Sequence, residues 1–275
     1  MRIKFFIFIV IFIVFLLSLD LLPFFVLSKK KPLVKIDPKT GEVLLPLDKI
    51  GSANWARRNA ENTIPFLPPR IRKRGYKEYV RESLDCTNFI SYALFVGGWE
   101  MVGGKSKWRF WEWYSSNYWF RTPTDVENYF TRRYNGSNLA WKNAYSLAQF
   151  IRKRKRGERI RIASIKHLSL LIKRGIISKG DIIQYGDRKG RKVHSMIVTA
   201  TKRRWCKKDA KFVEKLTFLF PRHSAKWYEN LSRRGPICLS FHTENKADRS
   251  LIAIWYIYSR RYNFYLQKLD KFYHY

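Results

Sequence analysis

Residues 85–90 read DCTNFI and predict the start of a helix that carries a cysteine in its first turn. Asp85 can accept hydrogen bonds from the first backbone N–H groups, and the residues after Asn88 supply an apolar face for packing. The partial positive charge of a helix N-terminus favours a thiolate, so the pKa of Cys86 is expected to lie below its ordinary value. Free cysteine is also among the most frequently buried residue types, so inert packing is the competing interpretation.

The composition is that of a folded protein with a large excess of positive charge. The 275 residues are 46% hydrophobic and 17% aromatic, which excludes a chain that is disordered throughout. Lys and Arg number 55 against 21 Asp and Glu, a net charge of +34 that predicts attraction to anionic surfaces. No recognisable nucleic-acid module accompanies this charge, so a nucleic-acid partner is not expected.

The N-terminal segment, residues 1–28, is predicted to be a signal peptide or a transmembrane anchor. A basic start precedes the apolar run 5–17, which is typical of a secretory signal. The longer stretch 5–27 could span a bilayer, although Asp20 and Pro23 would be costly near its centre. Both interpretations bring the chain to a membrane and predict an extracellular or cell-envelope protein, either secreted or anchored.

The rest of the chain divides into three predicted regions. Residues 29–50 are a linker or small hairpin, residues 51–260 are the main domain, and residues 261–275 are a C-terminal tail. The main domain contains two basic, aromatic insertions, 105–135 and 203–235.

A helical first half and a β-rich second half predict the α+β class for the main domain. Gly97 and Gly98 are expected to end the helix that carries Cys86. From apolar spacing and turn residues, we predict helices at 52–63, 86–96 and 141–151, and strands at 181–185, 193–200, 237–242 and 251–258.

The chain has three cysteines, Cys86, Cys206 and Cys238. They form no Cys-x-x-Cys pair and lie near no second metal-type ligand in sequence, so neither a zinc site nor any other metal or organic cofactor is expected. In an exported protein an odd count leaves at least one thiol unpaired. A Cys206–Cys238 bridge would leave Cys86 as the free thiol.

A cysteine nucleophile needs a base, and His194 is the first candidate. It begins an apolar strand directly after a turn, so it can lie at a sheet edge that faces the Cys86 helix. Alternation along the strand predicts that Met196 and Val198 continue the same face.

The second candidate histidine is His242, which ends another predicted strand and is followed by Thr243-Glu244-Asn245. His242 or Asn245 would then orient the imidazole of His194, with His242 preferred because its strand should neighbour that of His194. A lone histidine at a strand end is more often structural, so the hypothesis depends on the combination of residues.

Several short motifs in order resemble the putative amidase domain family, over about residues 52–258. They are DCTNFIS at 85–91, Gly97-Gly98, Trp141, GDIIQY at 180–185, HSMIVT at 194–199 and HTEN at 242–245. That family is similar to the papain-like cysteine peptidases and amidases of the NlpC and CHAP types.

The resemblance implies a papain-like α+β fold whose nucleophile helix packs on an antiparallel sheet. It implies Cys86 as nucleophile and His194 as base, with His242 or Asn245 as the third catalytic residue. The implied substrate contains an amide, as in peptidoglycan peptides. The competing hypothesis is a catalytically inactive papain-like domain whose charge binds anionic polymers or membrane surfaces.

Overall fold

The computed structural model describes residues 35–36, 43–81, 85–103, 111–122, 136–189, 191–201, 206, 237–242 and 246–274. All of them belong to one compact unit, Lys35–Tyr275. Within these ranges no helix is long and apolar enough to cross a membrane. The predicted signal peptide or anchor at residues 1–28 lies outside the described residues, and so do most of the two predicted insertions.

Eight helices are described, and most of them precede the central strands of the sheet. They are α1 (Lys49–Asn59), α2 (Pro69–Arg72), α3 (Asp85–Val96), α4 (Trp111–Tyr114), α5 (Leu139–Lys142), α6 (Ala144–Lys153), α7 (Ile165–Lys173) and α8 (Leu251–Tyr258).

Nine strands are described, and they form two antiparallel sheets. They are β1 (Lys35–Ile36), β2 (Val43–Pro46), β3 (Gly157–Ile162), β4 (Ile182–Gly186), β5 (Lys192–Thr201), β6 (Ile237–Phe241), β7 (Lys246–Ser250), β8 (Asn263–Leu269) and β9 (Phe272–His274). The larger sheet has the order β3-β8-β4-β5-β6-β7, and the smaller has the order β1-β2-β9. Helices combined with an antiparallel six-stranded sheet confirm the α+β class.

The two ends of the described chain differ from the predicted layout. Within the range 29–50, for which a linker or small hairpin was predicted, β1 and β2 pair in antiparallel fashion. A tail was expected after residue 260, but β8 lies between β3 and β4 inside the larger sheet. Strand β9 then pairs with β2, so the C-terminal residues extend both sheets. This pairing joins segments that are far apart in sequence, which is why local pattern did not reveal it.

Helix α3 lies at the centre of the fold, and all twelve of its residues are buried. Sequence pattern predicted one apolar face, whereas the structure covers the helix on every side. Its polar residues are buried with partners: the Ser91 hydroxyl donates to the Trp141 carbonyl at 2.8 Å and accepts from the Trp119 indole N–H at 3.0 Å. Such bonds offset the desolvation of polar groups in a core.

Two glycines end α3, as predicted. Gly98 has a φ of 97°, which an L-residue with a side chain rarely adopts. The Trp99 N–H then donates back to the Leu94 carbonyl at 3.0 Å, as in a Schellman-type helix end. A Cβ on Gly97 would lie 2.9 Å from the backbone oxygen of Asp48, so the helix end also packs against the start of α1.

Alternation along the central strands distributes their side chains between two apolar clusters. Ile182 and Ile197 pack with α1, α3 and α5, whereas Ile183, Met196 and Val198 pack with α7 and α8 on the opposite face. The prediction that Met196 and Val198 share the face of the Cys86 helix is therefore wrong. The sheet has helices on both faces, and the sequence pattern does not show which face belongs to α3.

A buried ion pair fixes the start of α1 to the sheet. The Lys49 ammonium lies 2.5 Å from the carboxylate of Asp181, which directly precedes β4. It also donates to the Ser178 hydroxyl and to the Leu269 carbonyl, each at 2.9 Å. Pairing of this kind compensates for the cost of burying two charges.

Two local predictions need correction. Residues 251–258, predicted as a strand, form α8, because a short apolar run is compatible with either structure and Ser250 caps this one by accepting from the Ala253 N–H. The predicted helix at 141–151 is divided at Asn143, which ends α5 and caps α6. The predicted helix 52–63 is confirmed in the main as α1, and the predicted strands at 181–185, 193–200 and 237–242 are confirmed as β4, β5 and β6 within a few residues.

Candidate active site

Cys86 is the second residue of α3, as predicted, and is 5% exposed. Cys206 and Cys238 form a disulfide with their Cα atoms 5.5 Å apart, which leaves Cys86 as the free cysteine. Its position in the first turn places the sulfur close to the unpaired backbone N–H groups of the helix.

The His194 side chain and the backbone of Ser195 lie close enough to Cys86 to act on its thiol. Burial raises the pKa of the Cys86 thiol, but the proximity and charge of His194 lower the pKa by more than burial raises it, to a net value of about 7. A thiol in this environment forms a thiolate near neutral pH, whereas a free cysteine does so at about 8.5. The structure thus brings together the two residues that the sequence proposed as nucleophile and base.

An irregularity in the sheet lies directly beside His194. On β4 and β5, Tyr185 pairs with His194 and Gly186 pairs with Lys192, so Val193 is an extra residue on β5. A bulge of this kind changes the direction of neighbouring side chains. His194 thus lies beside Cys86 at the end of the regular pairing, although alternate residues of the same strand pack away from α3.

Two aromatic rings hold the imidazole of His194, which is 8% exposed. Tyr185 lies with its ring centroid 5.1 Å away, and Phe241 of β6 makes an edge contact at 5.0 Å. Within the part of the chain that the structure describes, the polar contact of His194 is with Cys86. Ring packing therefore contributes to the orientation of the base.

His242 follows β6, beside β5 as predicted, but its contacts lead elsewhere. Its Nε2 lies 2.6 Å from the Asn62 carbonyl oxygen, and its Nδ1 contacts the Asp85 carboxylate. The Phe89 ring stacks on the imidazole at 5.0 Å with an interplanar angle of 17°. Both ring nitrogens of His242 are therefore engaged by groups other than His194.

The Asp85 carboxylate is the centre of a buried polar cluster. Besides His242, it accepts from the Asn88 amide at 2.6 Å, and the Tyr79 hydroxyl, which accepts from the same amide at 3.1 Å, lies beside it. Burial and the charge of Asp85 hold the pKa of Tyr79 well above its ordinary value, so Tyr79 stays protonated as a donor. The half-exposed Arg81 guanidinium is 3.9 Å away. The sequence suggested a helix cap for Asp85, whereas these partners are side chains.

A second buried polar chain lies behind the Cys86–His194 pair. The Thr87 and Ser195 hydroxyls are 3.1 Å apart, and the Gln184 amide donates to Ser195 at 2.9 Å and to the Ala144 carbonyl at 2.8 Å. The Thr87 hydroxyl also lies 3.7 Å from the Cys86 sulfur. This chain connects α3, β5, β4 and α6 directly beneath the cysteine.

A family model described as a putative amidase domain matches residues 47–265. The match covers well over half of the chain. This chain belongs to the putative amidase domain family. The matched range begins just before α1 and ends within β8, so it contains Cys86, His194, His242 and Asn245. No curated protein and no solved structure matches the chain.

The structure describes three of the four site residues that the sequence predicted. Cys86 lies in α3, His194 in β5 and His242 directly after β6, and Asn245 falls in residues 243–245, outside the described residues. Sequence reasoning missed Asn62 and Tyr79 as partners of the cluster at Asp85. Asn62 contributes only a backbone carbonyl, which carries no sequence signal.

No group of three or more His, Cys, Asp or Glu side chains among the described residues is arranged to hold a metal ion. The described groups at this site that can take part in chemistry are the thiol of Cys86, the imidazole of His194 and the backbone N–H donors beside them.

Proposed function

We propose that this protein hydrolyses an amide bond with Cys86 as nucleophile and His194 as general base and acid. Membership in the putative amidase domain family supports hydrolysis of amides in general. The observation that carries the thiol mechanism is the proximity of His194 to Cys86, which lowers the pKa of the thiol to about 7. A buried cysteine packed inertly against apolar neighbours would instead have a raised pKa.

In the first half of the reaction, His194 takes the proton of the Cys86 thiol as the sulfur attacks the carbonyl carbon. The backbone N–H of Cys86, which lies in the first turn of the helix, would stabilise the oxyanion. His194 then returns the proton to the leaving nitrogen, the C–N bond breaks, and a thioester with Cys86 remains.

In the second half, His194 takes a proton from water as the water oxygen attacks the thioester carbonyl. The C–S bond breaks, a carboxylic acid leaves, and the thiol of Cys86 is restored. The overall change is one amide and one water to one acid and one amine.

The third catalytic residue stays a prediction. We expected His242 or Asn245 to orient His194, with His242 preferred. Because both nitrogens of His242 contact Asp85 and Asn62, Asn245 is now the stronger candidate for that role. The papain-like arrangement is likewise proposed, supported by a cysteine-bearing helix packed on an antiparallel sheet.

We further propose that the protein acts in the cell envelope on peptides of the wall. The Cys206–Cys238 disulfide supports an oxidising compartment, and the segment at residues 1–28 has the composition of an export signal or anchor. The charge of +34 would hold the protein near anionic envelope polymers or lipids.

The test is release of amine from wall peptide fragments and from small model amides by the full chain. Cys86→Ala is expected to lower the rate by about 10⁶-fold, which leaves only the residual catalysis that binding and the backbone donors supply. His167→Ala is the matched control, because His167 lies on α7 and makes its ring contact to the Ala163 N–H. If Cys86→Ala and His194→Ala proteins release amine as fast as wild type, the mechanism is refuted.

The competing function, an inactive domain that binds anionic polymers, has the net charge of +34 in its favour. Its affinity for such polymers should fall steeply with salt as counterions are released. If the domain is inactive, Cys86 has no need of activation, and its alkylation midpoint in the wild-type protein should be that of an ordinary thiol, about pH 8.5. A wild-type midpoint near pH 7 would exclude the simplest form of this alternative.

A further inference from the structure

The two histidines that sequence analysis paired as one catalytic set contact different residues of helix α3. His194 contacts Cys86, and His242 contacts the preceding residue, Asp85. The proposed function uses the first contact and leaves the second without a role. The second contact is also the more deeply buried, since His242 is fully inaccessible to solvent.

The hydrogen bonds of His242 define where its protons lie. The Asn62 carbonyl oxygen can only accept, so Nε2 carries a hydrogen and donates it. Nδ1 faces the Asp85 carboxylate, and a contact between these two groups requires one proton between them. His242 and Asp85 together therefore hold the equivalent of an imidazolium and a carboxylate, which is neutral as a pair.

The other groups around Asp85 do not neutralise its charge to the same extent. The Tyr79 hydroxyl and the Asn88 amide donate hydrogen bonds but are uncharged. The Arg81 guanidinium is charged, but it is 3.9 Å away and its side chain is half-exposed, so solvent screens it. Among the described residues, His242 is thus the buried group that shares a proton with the buried carboxylate.

This balance matters because Cys86 is the next residue along the helix. A buried carboxylate without a partner would oppose the formation of a second negative charge on the neighbouring sulfur. His242 also connects three segments, namely the first turn of α3, the chain at Asn62 after α1, and the end of β6. The same contact can therefore neutralise Asp85 and fix the turn that presents the thiol to His194.

We propose that His242 is a positioning residue, which neutralises Asp85 and anchors the first turn of α3 so that Cys86 can form a thiolate against His194. The inference rests on the proposed function for its purpose, but it concerns a different contact. It removes His242 from the role of a partner to His194. The groups that face Cys86 and Asp85 in this scheme are His194, Tyr79, Arg81 and His242.

The test is the pH dependence of alkylation of Cys86 by iodoacetamide in the full chain. With the Cys206–Cys238 disulfide intact, Cys86 is the single free thiol, so the labelled site is unambiguous. His242→Phe keeps a ring against Phe89 and removes both polar contacts. Its midpoint is expected to rise by about one pH unit, which makes alkylation at pH 7 about fivefold slower because the wild-type midpoint is itself near 7.

The charge argument predicts a rescue that lost packing alone would not give. In the double variant with Asp85→Asn and His242→Phe, the buried charge is absent, and the midpoint should return to within about 0.3 units of wild type. Asp85→Asn alone should also stay close to wild type. His167→Phe, the matched control on α7, should leave the midpoint unchanged.

Folding is monitored for every variant by circular dichroism and thermal unfolding. If His242→Phe does not fold, His242→Gln, which keeps a donor for the Asn62 carbonyl, replaces it with the same expected rise. A folded His242 variant with the wild-type midpoint overturns the inference, and so does a double variant that shows no rescue. A wild-type midpoint near 8.5 overturns the proposed function instead, because that value tests the Cys86–His194 contact itself.

Discussion

Two consecutive residues of α3 each contact a histidine, and the two contacts differ in what they leave available. In the Asp85–His242 pair, both imidazole nitrogens are engaged and the ring is fully buried. In the Cys86–His194 pair, the ring keeps 8% exposure, and its polar contact among the described residues is the thiol. A fully engaged histidine is suited to hold structure, whereas a partly engaged one can transfer a proton.

The comparison also shows why a histidine near a cysteine is weak evidence of catalysis by itself. His194 and His242 come from neighbouring strands and meet the same turn of the same helix. The contacts of the second ring nitrogen distinguish them. A Cys-His assignment should therefore be checked at both nitrogens of each candidate.

Among the variants that separate the two pairs, the largest expected effect is that of His194→Ala, which removes the base and leaves Asp85–His242 intact. Amide hydrolysis should fall by about 10²- to 10⁴-fold, the usual contribution of a general base. The alkylation midpoint of Cys86 should rise from about 7 to about 8.5 or above, because burial still raises the pKa of the thiol while the largest opposing contribution, that of His194, is lost. The thiolate would be present only at higher pH, which a pH series of alkylation rates would show.

If folded His194→Ala hydrolyses the amide as fast as wild type, His194 is not the base. As a control, the variant should unfold at the same denaturant concentration as wild type, because it leaves both contacts of His242 in place.

The buried Lys49–Asp181 ion pair lies in neither histidine contact, so breaking it shows how much stability can be lost without an effect on Cys86. Lys49→Met leaves the Asp181 carboxylate buried without its cation, and the free energy of unfolding should fall by about 3–5 kcal/mol. Denaturant unfolding measures this loss. In the fraction that remains folded, the alkylation midpoint of Cys86 should match wild type, since Lys49 contacts neither pair.

A shift in that midpoint would mean that stability alone sets the reactivity of Cys86. The distinction between positioning and general stability would then not hold.

A smaller loss is expected from Trp141→Phe, which leaves the Asn88 side-chain oxygen without its 2.8 Å donor. An unpaired buried acceptor costs about 1–3 kcal/mol of unfolding free energy. Asn88 still donates to Asp85, and His242 still neutralises it, so the alkylation midpoint should not move. Denaturant unfolding would measure the free energy of unfolding, and alkylation of the same preparation would measure the midpoint of Cys86. A raised midpoint would mean that the Asn88 contact, as well as His242, controls the effect of Asp85 on Cys86.

The smallest effect is expected from Phe241→Leu, which removes one of the two rings against His194. An aromatic contact is worth about 0.5–1.5 kcal/mol, so kcat should fall by about three- to tenfold with little change in KM. Steady-state kinetics with a model amide would show the split between kcat and KM. An equal loss in Phe264→Leu, which does not contact His194, would attribute the effect to general packing instead.

Local chemistry made part of the site predictable. The sequence DCTNFI at 85–90 placed Cys86 in a helical first turn, and Gly97 and Gly98 ended that helix as expected. These features depend on caps, turn residues and apolar spacing, which are properties of short segments. The α+β class and the hairpin that carries His194 followed from the same kind of signal.

Other features required contacts between distant segments. The run at 251–258 became helix α8 because a cap at Ser250 and packing on the sheet decide between helix and strand. The C-terminal residues entered the sheet as β8, and Val193 formed the bulge beside His194. Neither strand pairing nor a bulge has a reliable signature within a few residues.

The sequence by itself therefore determined the candidate nucleophile, its helix and the fold class, because each depends on residues close together in the chain. Only the tertiary structure decided which histidine meets Cys86 and which meets Asp85. That choice depends on strand register and on a backbone carbonyl at Asn62, more than a hundred residues from either histidine. Side-chain identity alone carries no information about either.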